Sequence, residues 1–417
     1  MFRPVPALLT LAATGALLPA LEISDNDTKF AFTLYAQSVA AKATATNATG
    51  DAYNATEGIN GHGDDADLYM RRVRTGFKGT YKGYLYQATL AADNLGRASQ
   101  AIATGPSVTI WDAFLGKEFK MDGITHRLTF GKQNTWFNTV VSRSTVQLMP
   151  ASRASAELMA SNGVGFQYRM TAPVLSFGVD VQNNTGDDYN QTNSAPNNNQ
   201  NPQTGTNYGE GMYYTARLEL TGPDADSWAI GKWQESYAGA AGKGIALGFD
   251  AGANRKDNVD RDGATAGVQG AYVDTFCYGA DILLHVDGLT ALAEARHQIK
   301  KTSSFAATPS DDSTGSTVQI LQAGYAFPLE GLGVLEPAAR YQKIDLDTAN
   351  DNEGLSYGWK DYGNSGKQID LGVNLYLASH GNKLSLLYTS WKGEDSSAAN
   401  GETPTAKIVR LQHQLNF

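Results

Sequence analysis

Apolar and polar residues alternate along short stretches of this chain from end to end. The closing segment shows the pattern most plainly: Val409, Leu411, His413, Leu415 and Phe417 fall on one face of an extended strand, and Ile408, Arg410, Gln412, Gln414 and Asn416 on the other, because side chains change face with every residue. Comparable segments lie near residues 30–41, 67–78, 83–93, 108–118, 125–132, 163–170, 174–183 and 211–220. Others lie near 245–255, 269–286, 289–300, 317–327, 334–345, 367–378, 383–391 and 405–417. Sixteen such segments, paired by short turns and separated by longer polar loops, are the signature of a transmembrane antiparallel β-barrel. The terminal phenylalanine is the ending expected of a barrel in a bacterial outer membrane.

Parity supports this reading, since a barrel whose two ends lie on one side of the membrane needs an even number of strands. Turns at 79–82, 171–173, 287–288 and 379–382 are short, whereas the connections at 43–66, 133–162, 184–210, 301–316 and 346–366 are long. Residues 221–244 break the rule, and their Trp228-Ala229-Ile230-Gly231-Lys232-Trp233 run has room for two further strands, which makes eighteen the fallback count. The lipid and water faces follow from where charge is absent, because a charge on the lipid face near the midplane costs about 2–4 kcal/mol. Tyr84, Tyr86, Ala88 and Leu90 face lipid on this basis, as do Val164, Phe166 and Tyr168, the odd-numbered residues Leu175 to Val181, and those from Ile369 to Leu377. Gln87, Thr89, Asp93, Gln167, Arg169, Asp180, Gln182, Gln368, Asp370 and Asn374 face a polar, water-holding interior.

Composition narrows the alternatives. Charged residues make up only 18% of the 417, glycine reaches 44 and tyrosine 20. No apolar run after residue 20 approaches the roughly 18 residues of a spanning helix, which excludes a membrane helix bundle. Residues 1–20 read as an export signal, with Arg3 ahead of an apolar run from Val5 to Leu18 and Ala20 at the cut; the barrel then occupies 21–417. Cys277 is the only cysteine, so neither an intrachain disulfide nor a thiolate metal cluster can form. A net charge of −9 argues against nucleic acid as a partner.

The interior carries the candidate chemistry. Arginines recur on inward faces at Arg72, Arg74, Arg127, Arg169, Arg217, Arg296, Arg340 and Arg410, and acids at Asp112, Asp180, Glu219, Asp250, Asp281, Glu294, Glu336 and Asp370. Unpaired, the arginines would favour anions through their planar forks; paired with the acids across strands, they would only keep the wall polar. The connection from Gln133 to Asn162 is expected to fold inward as the third outer loop, entering through Trp136-Phe137 and bringing Arg143 and Arg153 to a constriction. The run Asn258-Val259-Asp260-Arg261-Asp262-Gly263 opens like a calcium loop, with Asn258, Asp260 and Asp262 as its weak ligand set, but Gln269 stands where a bidentate glutamate belongs. The histidines show neither paired metal spacing nor a nucleophile motif, so no enzyme and no cofactor are expected.

Several segments together resemble the phosphate-selective porin O and P family: Arg71-Arg72-Val73-Arg74-Thr75-Gly76-Phe77-Lys78-Gly79, Trp111-Asp112-Ala113-Phe114, Leu128-Thr129-Phe130-Gly131-Lys132-Gln133, and Leu371 to Leu377 with the closing strand. The resemblance implies a sixteen-stranded, trimeric porin whose third outer loop enters the pore, and it places Arg72 and Arg74 where the family carries lumen arginines. The family's phosphate-binding members add a lysine cluster. The third loop here has no lysine and only two arginines, so the resemblance does not carry phosphate selectivity with it. The expected function is passive diffusion of small hydrophilic solutes or ions, with a mild preference for anions, through a homotrimer embedded in outer-membrane lipid. A structural or adhesive barrel with a blocked pore is the alternative.

Overall fold

The computed structural model describes residues 22–25, 27–46, 64–95, 108–137, 149, 162–183, 207–209, 212–222, 243–259, 271–304, 311–345, 365–393 and 405–416. The expected export signal, Arg143, Arg153, Asp260, Asp262 and Phe417 lie outside them. Sixteen strands form one antiparallel sheet. The first eight are β1 (Thr28–Thr46), β2 (Asp64–Tyr81), β3 (Tyr84–Leu95), β4 (Thr109–Met121), β5 (Ile124–Asn134), β6 (Asn162–Thr171), β7 (Leu175–Asn183) and β8 (Met212–Thr221). The rest are β9 (Lys243–Val259), β10 (Ala271–Val286), β11 (Leu289–Ser304), β12 (Asp311–Tyr325), β13 (Gly333–Asp345), β14 (Gly366–Ala378), β15 (Asn382–Gly393) and β16 (Thr405–Asn416). Three-residue pieces at Glu22–Ser24, Asn207–Gly209 and Phe327–Leu329 pair with the ends of β1, β9 and β13.

Each strand pairs with the next, and β16 pairs with β1 from Thr405↔Thr46 to Asn416↔Tyr35, which closes the ring. β8 pairs directly with β9, from Tyr213↔Asn254 to Thr221↔Ala246. The fallback of eighteen strands is thereby corrected: nothing is inserted between these two, so the barrel has sixteen. Closure leaves the sheet without an edge, the condition for a sheet to sit in hydrocarbon where water cannot satisfy backbone groups.

The tight turns have the backbone that the strand twist demands. Lys82-Gly83, Asp122-Gly123 and Asp287-Gly288 all carry positive φ at both residues, as two-residue type I′ hairpins require. The first lies just beyond the turn expected at 79–82, because Gly79 belongs to the strand. It pairs with Tyr86, whose ring lies over it where a Cβ would overlap.

Inside and outside are inverted relative to a soluble protein. Large apolar residues point outward, with Leu371 52%, Phe166 56% and Leu115 69% exposed, whereas Asp370, Glu219 and Glu336 are wholly buried. Burying charge inside while displaying leucine and phenylalanine is stable only against an apolar surrounding. Rings gather on the outer face, Phe119 with His126, Phe130 with Phe166 and Tyr325 with Phe327.

Ring closure can be tested by cross-linking. Leu411 pairs with Ala40 across the seam, a separation that a disulfide spans. In a Cys277→Ser background, Ala40→Cys with Leu411→Cys is expected to oxidise to a cyclised chain of altered gel mobility, reversed by reductant. Failure to cross-link, or preferential cross-linking one residue out of step, would refute the seam.

Candidate functional site: the inner wall and the third outer loop

The inner wall from β8 to β11 holds two adjacent rows of side chains. One row is Arg217, Asp250, Gly279 and Arg296, and the other is Glu219, Gly248, Asp281 and Glu294, each residue directly opposite the next on the neighbouring strand. The two glycines leave gaps in the rows. A Cβ at Gly248 would overlap the Arg217 guanidinium, and one at Gly279 would overlap Arg296, so each arginine reaches an acid two strands away. Arg217 grips Asp281 with Nη1–Oδ2 at 2.7 Å and Nη2–Oδ1 at 2.9 Å, and also meets Asp250 at 3.1 Å and Glu219 at 3.0 Å. Arg296 meets Asp250 at 2.9 Å, Asp281 at 3.3 Å and Glu294 at 3.0 Å. All six charged groups are buried.

A third arginine, Arg340 on β13, donates from Nε to Asp370 at 2.8 Å. Gln342, Gln368 and Thr389 donate to the same carboxylate at 3.0, 2.9 and 2.6 Å, so its lone pairs are satisfied. Arg410 is buried beside it, with Nη1 3.5 Å from Thr389 Oγ1.

The third outer loop is tied into this network. Trp136 and Phe137 leave the end of β5 and are 5% and 0% exposed, and Met149, further along the loop, is 0% exposed. The Trp136 N–H donates to Asp180 Oδ2 at 3.2 Å, and the Phe137 carbonyl accepts from Arg217 Nη1 at 3.2 Å. The Arg296 guanidinium stands 5.5 Å from the centre of the Phe137 ring. The Met149 carbonyl accepts from Asn374 Nδ2, which also donates to Glu336 at 2.9 Å. Glycine again provides the seats, since a Cβ at Gly178 would overlap the Trp136 ring and one at Gly324 would overlap Met149 Sδ. The described residues of the loop, Trp136 with Phe137 and Met149, are therefore held inside the barrel at two separate stretches of wall.

The wall from β2 to β6 differs. Arg72, Arg74, Asp112, Arg127 and Arg169 face the interior and remain half-buried, where the facing groups of β8–β15 are covered. Arg74 Nη2 lies 3.4 Å from Asp93 Oδ2, and its guanidinium is 3.8 Å from the centre of the Trp111 ring. Arg127 lies 5.5 Å from the Phe114 ring and Arg169 5.1 Å from that of Trp136. Asp112 accepts from Gln87 Nε2 at 3.0 Å. Of the two arrangements the sequence allowed, the described residues of β8–β15 take the paired one, through gaps left by glycine, and the half-buried arginines lie on the arc of β2–β6.

Of the residues singled out in the sequence, Arg72, Arg74, Arg127, Arg169, Asp112 and Arg410 all point inward, but only the first five share the accessible arc. Asn258, in the calcium-like run, belongs to β9 and pairs with Ala271 rather than opening a turn, and among the described residues no cluster of acids, histidines or cysteines is arranged to hold a metal. The arginine–aromatic contacts were missed by sequence reasoning. The glycines at inward-facing positions of β7, β9 and β12 were the available signal, since each marks a place where a large side chain arrives from elsewhere.

A closed ring of sixteen strands, polar within and apolar without, with its third outer loop pinned inside, is an outer-membrane porin. Residues 43–226 match the model of the family described as phosphate-selective porin O and P, which bears out the resemblance carried by the three motifs in that stretch. No curated protein matches the chain. Among solved structures, OmpF of Salmonella typhi in complex with daunomycin is similar at 16% identity with a TM-score of 0.52, covering 95% of this chain and 100% of that one. The outer membrane channel DcaP of Acinetobacter baumannii is similar at 12% identity with a TM-score of 0.53, covering 94% of this chain and 99% of that one. OprB of Pseudomonas putida, at 8% identity and a TM-score of 0.54, covers 93% and 94%. Identities this low speak to the fold alone. The fold and the family match over residues 43–226 both support a channel of the bacterial outer membrane.

The buried network yields a stability prediction. Arg217→Ala removes the guanidinium that Glu219 meets and leaves Asp250 and Asp281 to share Arg296 alone, and is expected to cost about 3–5 kcal/mol, as breaking a buried ion pair does, read as a lowered midpoint of urea unfolding from lipid vesicles. A change below about 1 kcal/mol, the scale of an exposed pair, would contradict the burial described.

Proposed function

We propose that this porin is a passive diffusion channel for small hydrophilic solutes with a mild preference for anions. The carrying observation is the unequal division of charge: the acids of β9–β11 and β14 are engaged by Arg217, Arg296 and Arg340, while the arc of β2–β6 carries the half-buried Arg72, Arg74, Arg127 and Arg169 against Asp93, Asp112 and Glu118. An arc with more guanidinium than carboxylate raises the local concentration of anions along it. Arg143 and Arg153 belong to the loop pinned at Phe137 and Met149, and they add positive charge to the constriction in this reading. The working unit is a homotrimer in outer-membrane lipid, exported by the segment 1–20. The covered wall of β8–β15 favours a second reading, a structural barrel whose pore is closed by its own loop.

Planar bilayers decide between them. Conductance with a reversal potential displaced toward the anion under a salt gradient is expected, with the displacement shrinking in Arg143→Ala/Arg153→Ala and in Arg72→Ala/Arg74→Ala. A cation-preferring or unselective pore would remove the anion preference, and absence of conductance would establish the closed barrel.

A further inference from the structure

The outward face of the barrel carries a cluster of positive charge. Lys392 on β15, Lys407 on β16 and Lys42 on β1 all point outward, are exposed, and lie near the loop ends of their strands. Lys392 stands directly opposite Lys367 of β14, which in turn faces Lys343 of β13, and Lys343 keeps Asp345 at 3.6 Å. Lys407 and Lys42 are each set two residues nearer the turn end than the residue opposite the preceding lysine. Strand tilt runs in the same sense, since Tyr35 is the residue of β1 opposite the end of β16 although β1 begins at Thr28. The lysines therefore follow one depth around the barrel, at the outer boundary of the membrane, where a long cationic side chain keeps its head in the polar layer.

Below them the same wall is hollowed. In the row Lys42, Val409, Tyr388, Leu371, Ala339 and Ala323, each residue faces the next across the ladder. Where the row reaches the alanines the large outward side chains stop, and a groove of about 770 Å³ is lined by Ala323, Tyr325, Pro337, Ala339, Leu371 and Tyr388. Because the strands tilt, this row descends from the lysines toward the membrane centre. From Lys42 to Ala339 is four strand spacings, roughly 19 Å at about 4.8 Å each. Taken obliquely, that path stays within one leaflet of the hydrocarbon core, about 15 Å deep.

We propose that the lysine cluster and the alanine groove form one binding site on the outer wall for a phosphorylated, multiply acylated glycolipid of the outer leaflet. Its head-group phosphates meet Lys392, Lys407 and Lys42, and an acyl chain lies along the row into the groove. Charge complementarity selects the head group. The groove selects a lipid over free phosphate, which has nothing to place there, while a zwitterionic lipid fills the groove and gains little from the lysines. The site faces lipid, so it does not depend on which solute the pore carries.

The test is native mass spectrometry of the full chain in detergent, titrated with bisphosphoryl lipid A, monophosphoryl lipid A and phosphatidylethanolamine. Affinity is expected to fall in that order. Lys42→Gln/Lys392→Gln/Lys407→Gln should weaken bisphosphoryl lipid A by about fivefold for each lysine removed and leave phosphatidylethanolamine unchanged. Ala323→Leu/Ala339→Leu, which fills the groove from the lipid side, should weaken both lipids. Heat-modifiable gel mobility reports that each variant keeps its barrel, and Lys407→Gln alone, with an expected fivefold loss of about the same origin, carries the test if the triple variant does not assemble. Equal affinity for lipid A and phosphatidylethanolamine, affinity indifferent to the lysine substitutions in a folded barrel, or displacement of lipid A by millimolar inorganic phosphate would overturn the proposal. A triple variant that changes oligomeric state while binding lipid A undiminished would assign this face to a second copy of the chain and overturn it equally.

Discussion

Pairing between the last strand and the first is the interaction on which everything else depends. Thr405 to Asn416 meets Tyr35 to Thr46 along nearly the whole length of β16, and without that seam the sheet would present two unsatisfied edges. In hydrocarbon each unpaired N–H or C=O costs several kcal/mol, so an open sheet is not a stable alternative. Closure then divides every strand into an outward and an inward face, and the alternation of residues assigns apolar side chains to one and polar side chains to the other.

Closure sets the inward side chains of neighbouring strands side by side along the wall, and glycine determines which of them meet. Gly248 and Gly279 open gaps through which Arg217 and Arg296 each serve acids on more than one strand, while Gly178 and Gly324 seat Trp136 and Met149 of the third loop. Buried networks of this kind add little net stability over an apolar filling, but losing one member is costly, so they hold a particular arrangement in place. Here that arrangement fixes the loop, because the Phe137 carbonyl shares Arg217 with the acids of the wall. One side of the barrel is consequently closed to water, and the polar groups of β2–β6 line what remains.

The strands were legible in the sequence because period-two alternation is a local property, and segments such as 367–378 and 405–417 lie within a residue or so of β14 and β16. The turn after β2 was read too early because Gly79 looks like a turn residue, although its actual role is to make room for Tyr86. Residues 221–244 allowed two more strands because amphipathic spacing around Trp228 and Trp233 says nothing about ring closure, which only the direct β8–β9 ladder decides. The inward direction of Arg217 and Asp281 could be read from parity, but their contact could not. It joins β8 to β10 across a strand that has glycine at that level, and this depends on the stagger of three strands. Arg127 and Arg169 were legible as inward arginines, whereas their rings come from a neighbouring strand and from the loop.

The central claim is that the interior is divided into a dry wall and a wet arc, and substituted-cysteine labelling tests it most directly. In a Cys277→Ser background, a water-soluble thiol reagent should modify Gln87→Cys, on the half-buried arc, at a rate that follows reagent concentration, and should leave Gln342→Cys, at a position 0% exposed, unmodified until the protein is unfolded. Equal labelling of the two positions in the folded barrel would contradict the account.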